Sequence, residues 1–224
     1  MNPTTVATTA ERSFSIAQAF HDGGPVMYLI ALFGILTVII VVERFTKIRA
    51  MSIDKKEFTD QIYRLVVAGD IRQAISMCDS RPAPLTNTVK AGLIQAMNKR
   101  PDEEVQVAMD AAVLREVPKL EGYTSFLAVF GNVSVLSGLL GTISGMILSF
   151  GAVADAANDK KAELLSAGIS HALNCTALGL IVALLAIVSF GWFQHRIQKV
   201  ENEILETSMS LLNLVVANRD KVRD

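Results

Sequence analysis

Cysteine, histidine and charge are all scarce in this chain of 224 residues. The two cysteines, Cys78 and Cys175, are too few for a disulfide scaffold or a cysteine-based zinc site. The three histidines, His21, His171 and His195, lie far apart and show no metal-ligand spacing. Because 21 Lys and Arg nearly balance 22 Asp and Glu, no net charge favours nucleic acid as a partner.

Charge is absent altogether from three long windows, residues 23–42, 122–154 and 164–195. About 20 apolar helical residues cross a hydrocarbon core, and backbone groups in lipid must be paired internally. We therefore predict an all-α integral membrane protein with three transmembrane helices. The second and third windows are longer than one crossing needs, so we expect these helices to project beyond the membrane.

Basic residues follow the first and third spans. Arg44, Lys47 and Arg49 come after the first span and Arg196 and Lys199 after the third, whereas only Arg12 precedes the first. By the positive-inside rule this asymmetry predicts an external N-terminus and a cytoplasmic C-terminus. The first span lacks a small-residue cleavage site, so we interpret it as a retained signal-anchor.

The predicted organisation alternates spans with segments outside the lipid. An external segment 1–22 precedes span 23–43; a cytoplasmic helical region 44–121 precedes span 122–154; an external loop 155–166 precedes span 167–195; and a cytoplasmic helical tail 196–224 follows. In the first segment, Phe14, Ala17 and Phe20 recur every three residues and suggest an amphipathic helix on the membrane surface.

Helix ends and buried faces are marked in the cytoplasmic region. Asp70 is suited to cap a helix that runs to Cys78. Pro101 suits the first turn of a further helix, which we expect to continue through Pro118, with a kink, into the second span. Apolar residues at helical spacing predict buried faces at Leu85, Val89, Leu93, Ala96 and Met97, at Val105, Ala108, Met109, Ala112 and Val113, and in the tail at Val200, Ile204, Met209, Leu211, Leu212 and Val215.

Small residues recur along one face of each of the two later spans. In the second span, the spacing i, i+4, i+7, i+11 holds for Gly138, Thr142, Gly145 and Ser149. In the third span, the same spacing holds for Ala172, Thr176, Gly179 and Ala183. Gly141 also forms a GxxxG pair with Gly145. Such faces let helices approach closely in lipid. They either only pack, with each threonine bonded to its own backbone, or line a polar path for a proton or small cation. Since none of the three uncharged windows contains Asp or Glu, the titratable group that a proton path needs would have to come from a partner.

Three motifs resemble the MotA/TolQ/ExbB proton-channel family. Residues 23–27, GGPVM, and 42–44, VER, are similar to its first span; residues 136–146, LSGLLGTISGM, resemble its motif LxGLLGTVxGM; and residues 168–180, GISHALNCTALGL, resemble its motif GIxEALxxTAxGL. The similarity covers nearly the whole chain. Three spans favour the ExbB/TolQ branch over the four-span MotA branch.

This resemblance implies a stator subunit of a bacterial inner-membrane motor. Family members form a homopentamer around two copies of a single-span partner like ExbD or TolR, whose membrane Asp takes and releases protons. Thr142 and Thr176 match the two family threonines near that Asp, and the glycines would allow close packing. Proton flow, with sodium less favoured and no cofactor, would then drive TonB-type transport, Tol-type envelope maintenance or gliding motility.

The chain departs from the family pattern at three places. His171 stands where the family has Glu, the second span lacks the family's proline, and Asn174 and Cys175 replace small or apolar residues. Because histidine titrates near neutrality, His171 with Asn174 is a candidate proton relay or gate; the alternative is a helix-end histidine bonded to the loop. These departures suggest a specialised paralogue, such as a gliding-motility stator.

The sequence also bears on two other classes of function. A non-conducting membrane scaffold that recruits cytoplasmic or envelope partners would use the small faces for packing alone. An enzyme is not expected, because the sequence shows no nucleophile–base pair, metal cluster or phosphate loop.

Overall fold

A computed structural model describes residues 24–51 and 55–218. The predicted amphipathic helix around Phe14 and Phe20 lies outside these residues. The described residues form seven α-helices and no strand, which confirms the all-α prediction. The helices are α1 Gly24–Met51, α2 Lys55–Ala68, α3 Ile71–Ser80, α4 Pro84–Met97, α5 Asp102–Glu121, α6 Thr124–Asp155 and α7 Lys161–Ala217.

Three helices, α1, α6 and α7, contain the segments that are long and apolar enough to cross a membrane, as predicted. Helix α6 has 32 residues and α7 has 57. At about 1.5 Å per residue, both exceed a hydrocarbon core of about 30 Å, so each continues beyond the lipid. Helix α7 begins at Lys161, so the stretch 155–166 that was assigned to an external loop is helical from that residue on.

The described residues fall into two compact units. The membrane unit comprises residues 24–40 and 126–189, and the bundle unit comprises residues 41–125 and 190–218. Helices α1, α6 and α7 each contribute to both units, whereas α2 to α5 belong to the bundle unit alone.

The core of the bundle unit follows the apolar spacing of its helices. Buried positions include Phe58, Ile62, Val66, Leu85, Val89, Leu93, Ala96, Val105, Met109, Val113, Ile204, Leu211 and Val215. Asp70 caps α3 as predicted, because its side chain accepts a hydrogen bond from the backbone N–H of Gln73 at 3.2 Å. Proline at the first turn of α4, Pro84, has the fixed φ that a helix start requires.

Two methionines assigned to buried faces are exposed instead. Met97 is the last residue of α4 and is 39% exposed. Met209 is 66% exposed, because the buried face of this part of α7 runs through Ile204, Ser208 and Leu211. Met209 lies five residues after Ile204, which places it well off that face at 3.6 residues per turn.

The junction between α5 and α6 differs from the prediction. Helix α5 does run through Pro118, but it ends at Glu121. Gly122, whose φ is +42°, follows it, and α6 starts at Thr124. Continuation of one helix into the second span was therefore wrong, and the break lies at the glycine rather than at the proline.

Arg44 of α1 holds this junction within the bundle unit. Its guanidinium is almost fully buried, donates to the carbonyl oxygen of Leu120 at 3.5 Å and lies 5.6 Å from the ring centre of Tyr123. A Cβ at position 122 would collide with that guanidinium. Glycine is thus required here both by the backbone conformation and by the arginine packed against it.

Candidate functional site

Helices α6 and α7 touch through their backbones in the membrane unit. A Cβ on Gly179 would lie 2.6 Å from the carbonyl oxygen of Ser134 and 3.2 Å from the Cα of Gly138. A Cβ on Gly138 would lie 3.1 Å from the Cα of Thr176. Since these neighbours are backbone atoms, they cannot rotate away: a side chain at position 179 would force the helices apart, and one at position 138 would need a shift of a few tenths of an ångström.

The same contact continues along both helices. A Cβ on Gly141 would lie 2.7 Å from the Cβ of Cys175, and one on Gly145 would lie 3.1 Å from the Cβ of Ala172. Further along α6, a Cβ on Gly131 would approach the carbonyl oxygen of Ala183 to 3.5 Å. The structure therefore places all the residues predicted for close packing at the α6–α7 contact.

Thr176 forms a hydrogen bond across this contact. Its Oγ1 donates to the carbonyl oxygen of Gly138 at 3.0 Å, and the side chain is half-buried. The close approach of the two backbones brings an α6 carbonyl within reach of an α7 hydroxyl. The hydroxyl keeps its lone pairs, so it can still accept a hydrogen bond from another group.

Thr142 has a different environment. Its Oγ1 donates to the carbonyl oxygen of Leu139, one turn earlier on the same helix, at 2.7 Å. Thr142 is half-buried, like Thr176, but its neighbours Leu139 and Ile143 are 53% and 52% exposed. The two threonines are therefore not equivalent: Thr176 ties two helices together, and Thr142 presents its oxygen at the surface of the unit.

His171 of α7 lies beside Gly24, the first residue of α1. Its Nε2 is 3.8 Å from the place that a Cβ on Gly24 would occupy, and its Cδ2 is 3.5 Å from the corresponding place on Gly145. The imidazole is half-buried between α1 and α6, and Asn174 is half-buried three residues further along α7. His171 is five residues, or about 7.5 Å of helix rise, before Thr176.

Two buried hydroxyls in the membrane unit were missed by the sequence analysis. Thr37 on α1 and Ser134 on α6 are fully buried, and their Oγ atoms have no hydrogen-bond partner. A buried hydroxyl left unpaired costs about 1–3 kcal/mol. The signal for Thr37 was the one Ser or Thr in a span that is otherwise almost entirely apolar, and the spacing used to find the small faces did not include it.

Acidic groups are missing where these hydroxyls lie. Residues 126–154 of α6 and 164–189 of α7 contain no Asp or Glu. Within residues 24–51 and 55–218, no group of three or more His, Cys, Asp and Glu side chains is placed to hold a metal ion. These uncharged segments of the membrane unit thus offer hydroxyls and an imidazole but no carboxylate.

Comparison with known proteins gives a match to one family model. The model described as the MotA/TolQ/ExbB proton channel family matches residues 80–206, more than half of the chain. This stretch contains both threonines and the whole α6–α7 contact.

Curated relatives carry the names TolQ and ExbB, which supports the ExbB/TolQ branch. The chain is 38% identical over 94 residues to the Tol-Pal system protein TolQ of Pseudomonas aeruginosa, covering 42% of this chain and 40% of the relative. It is 33% identical over 96 residues to TolQ of Haemophilus influenzae, covering 43% and 42%. It is 27% identical over 177 residues to the biopolymer transport protein ExbB of Salmonella typhimurium, covering 77% and 71%. The chain thus spans about two fifths of the length of the TolQ relatives.

Proposed function

Since this chain belongs to the MotA/TolQ/ExbB proton channel family, we propose that it is the channel subunit of a motor driven by the proton-motive force. It would be a multi-pass protein of the bacterial inner membrane. A single-span partner like ExbD or TolR would supply the acid that carries the proton. Together they would convert proton flow into mechanical work across the cell envelope.

One observation carries this proposal: the uncharged parts of the membrane unit, residues 24–40, 126–154 and 164–189, present a hydroxyl but hold no carboxylate. A proton that crosses the low-dielectric core needs a titratable group. Thr142 presents its hydroxyl on an exposed part of α6, where the side chain of a neighbouring helix can reach it. An Asp on such a helix would supply the missing group, and Thr142 would hydrogen-bond to it.

Thr176 would contribute a hydrogen-bond acceptor to the same path. Its proton is committed to the carbonyl of Gly138, so towards a partner it can act only as an acceptor, for example for a protonated Asp. Thr142 and Thr176 would then form the environment of the partner Asp, with His171 and Asn174 as a relay or gate nearer the start of α1.

The subunit composition and the orientation in the membrane belong to the same proposal. We expect five copies of this chain around two copies of the partner, with the N-terminus external and the C-terminus cytoplasmic. The basic residues Arg44, Lys47 and Arg49 at the end of α1 support that orientation. The work driven would be TonB-type transport, Tol-type envelope maintenance or gliding motility. Relatives named as a Tol-Pal system protein and as a biopolymer transport protein support a Tol-type or a transport role.

The test begins with co-expression of the chain and a single-span, Asp-bearing protein encoded beside it. Native mass spectrometry should show five copies of the chain with two of the partner. Proton flux into liposomes that contain the complex should fall at least tenfold when the partner Asp is replaced by Asn. It should also fall severalfold in Thr142→Val.

Thr46→Val is a matched control for Thr142→Val. Thr46 also donates to its own backbone, to the carbonyl of Glu43 at 2.8 Å, but lies in the bundle unit. The control should leave flux unchanged. An oligomer that never retains an Asp-bearing partner, or flux that is indifferent to the partner Asp, would replace the proposal with the non-conducting scaffold.

A further inference from the structure

An aromatic pair joins α1 to α7 in the bundle unit. The ring of Phe45 stacks on that of Trp192, with ring centres 5.9 Å apart and an interplanar angle of 25°. Phe193, which is 2% exposed, meets the indole edge-on at 5.1 Å. The indole is thus held by two rings, yet Phe45 and Trp192 remain 47% and 44% exposed. The pair therefore leaves apolar area uncovered at the surface of this unit.

A guanidinium lies on the same indole. The Cζ of Arg196 is 5.5 Å from the centre of the Trp192 ring, which is within the range of a cation–π contact. Such a contact uses the face of the ring and does not consume the N–H groups of the arginine. The exposed side chain of Arg196 is therefore positioned by the indole while its five N–H donors can still bind an anion.

Helices α1 and α7 run in the same direction. In the membrane unit, a Cβ on Gly24 would lie 3.8 Å from the Nε2 of His171, and one on Gly34 would lie 3.2 Å from the Cγ2 of Val182. Ten residues along α1 thus correspond to eleven along α7. Because both helices continue without a break into the bundle unit, residues further along α1 lie beside residues further along α7 there as well.

Two arginines lie one turn beyond the aromatic pair. On α1, Arg49 follows Phe45 by four residues. On α7, Arg196 follows Trp192 by four. Residues four apart share a helix face, so each arginine lies about 5.4 Å past its ring along the helix. Both arginines are exposed, so one large anionic ligand can reach both.

Two carboxylates near these residues are each paired with a lysine. Glu43 lies 2.6 Å from Lys47, and Glu203 lies 4.0 Å from Lys199. Within residues 24–51 and 55–218, no carboxylate forms an ion pair with either of the two arginines. Their positive charge is therefore not compensated by the part of the chain that the structure describes.

We propose that Phe45, Arg49, Trp192 and Arg196 form a binding site for an anionic phospholipid. The two guanidinium groups would bind the headgroup phosphate, because arginine presents its N–H donors in a planar fork that matches phosphate. The two rings would lie against the glycerol and the first part of the acyl chains, which is the depth that aromatic side chains favour. Basic sites between membrane helices are suited to anionic headgroups.

The position of the site along the chain favours a lipid over a soluble anion. The uncharged windows end at Val42 and His195, so the aromatic pair lies where α1 and α7 leave the hydrocarbon. A soluble phosphate ion would leave both rings uncovered, whereas a phospholipid joins the anion to apolar chains at this depth. The site does not depend on the proposed channel function, because it requires only that α1 and α7 cross lipid.

The test uses the fluorescence of Trp192, which is the only tryptophan of the chain. The full chain is reconstituted into phosphatidylcholine bilayers that contain a fixed fraction of brominated phosphatidylglycerol or, in parallel, of brominated phosphatidylcholine. Bromine quenches tryptophan on contact, so the ratio of the two quenching levels gives the relative affinity of the site for the anionic lipid. We expect a preference of about fivefold for phosphatidylglycerol, since one cation near a membrane surface contributes about that factor.

Variants separate this site from the general charge of the surface. Arg196→Gln should abolish most of the preference for phosphatidylglycerol, and Arg49→Gln should reduce it. Lys47→Gln is the matched control, because it removes the same charge from α1 but lies two residues from Phe45, on another face of the helix. It should leave the preference unchanged.

Two further measurements make the variants comparable. The quenching of each variant is normalised to its own fluorescence in lipid without bromine, because Arg196→Gln also removes the cation–π contact. Equal thermal unfolding midpoints of the variants would show that folding is intact.

Three results would overturn the proposal. The first is equal quenching by the two lipids, which would mean that the rings only lie at the interface. The second is an equal loss of preference in Lys47→Gln and Arg196→Gln, which would mean attraction by general surface charge. The third is the absence of quenching by either lipid, which would mean that protein, such as a second copy of the chain, covers Trp192.

Discussion

Glycine serves two different purposes in the two units of this molecule. In the membrane unit, Gly138 and Gly179 bring backbone against backbone. In the bundle unit, Gly92 of α4 receives the side chain of Met109 from α5, whose Sδ lies 2.5 Å from the place that a Cβ would fill. The contact between Gly138 and Gly179 has no side chain between the helices, whereas at Gly92 the side chain of Met109 fills the space between them.

The difference follows from the two solvents. In water, helices gain by removing apolar area, so α4 and α5 bury large side chains such as Leu93 and Met109. In lipid that gain disappears, because the acyl chains are as apolar as leucine. Close backbone approach and interhelical hydrogen bonds remain, and the α6–α7 contact has both.

Among the substitutions that test this difference, Gly179→Ala should lower the stability of the protein most. The new Cβ would lie 2.6 Å from the carbonyl oxygen of Ser134, and a backbone atom cannot rotate away. Separation of the helices would also break the bond from Thr176 to Gly138. We expect a loss of about 3 kcal/mol or more, seen as a lower thermal unfolding midpoint of the purified chain.

Gly191→Ala is the control on the same helix. Nothing lies within 4 Å of a Cβ at position 191, and alanine favours helix over glycine by about 1 kcal/mol. Its midpoint should stay unchanged or rise. Equal midpoints for the two variants would show that backbone contact is not what holds α6 to α7.

Gly92→Ala should be the smaller disruption. Its Cβ would meet the end of the flexible Met109 side chain, which can adopt another rotamer. We expect a cost of about 1–2 kcal/mol, measured as weaker hydrogen-exchange protection of α4 and α5. In a double-mutant cycle with Met109→Ala, the two changes should offset each other; strict additivity would mean that they do not share this contact.

Periodicity was sufficient to predict the spans, the small faces and most of the bundle core. It could not identify the partner of Thr176, because a hydroxyl that bonds its own helix and one that bonds a neighbour have the same spacing. It also predicted one helix, kinked at Pro118, that continues into the second span, whereas the helix ends and a new one begins around Gly122. The φ of Gly122 and the packing of Arg44 depend on residues far apart in sequence, which a local pattern does not contain.

Thr176→Val compared with Thr142→Val gives the smallest and sharpest test. Valine keeps the shape of threonine but loses the hydroxyl, so Thr176→Val removes one interhelical hydrogen bond. Such bonds are worth about 0.6 kcal/mol in a membrane, so the unfolding midpoint should fall slightly. Thr142→Val removes only a bond to its own backbone and should leave the midpoint unchanged while reducing proton flux. If Thr142→Val lowers the midpoint more than Thr176→Val does, the surface threonine stabilises the fold, and its assignment to the proton path loses its basis.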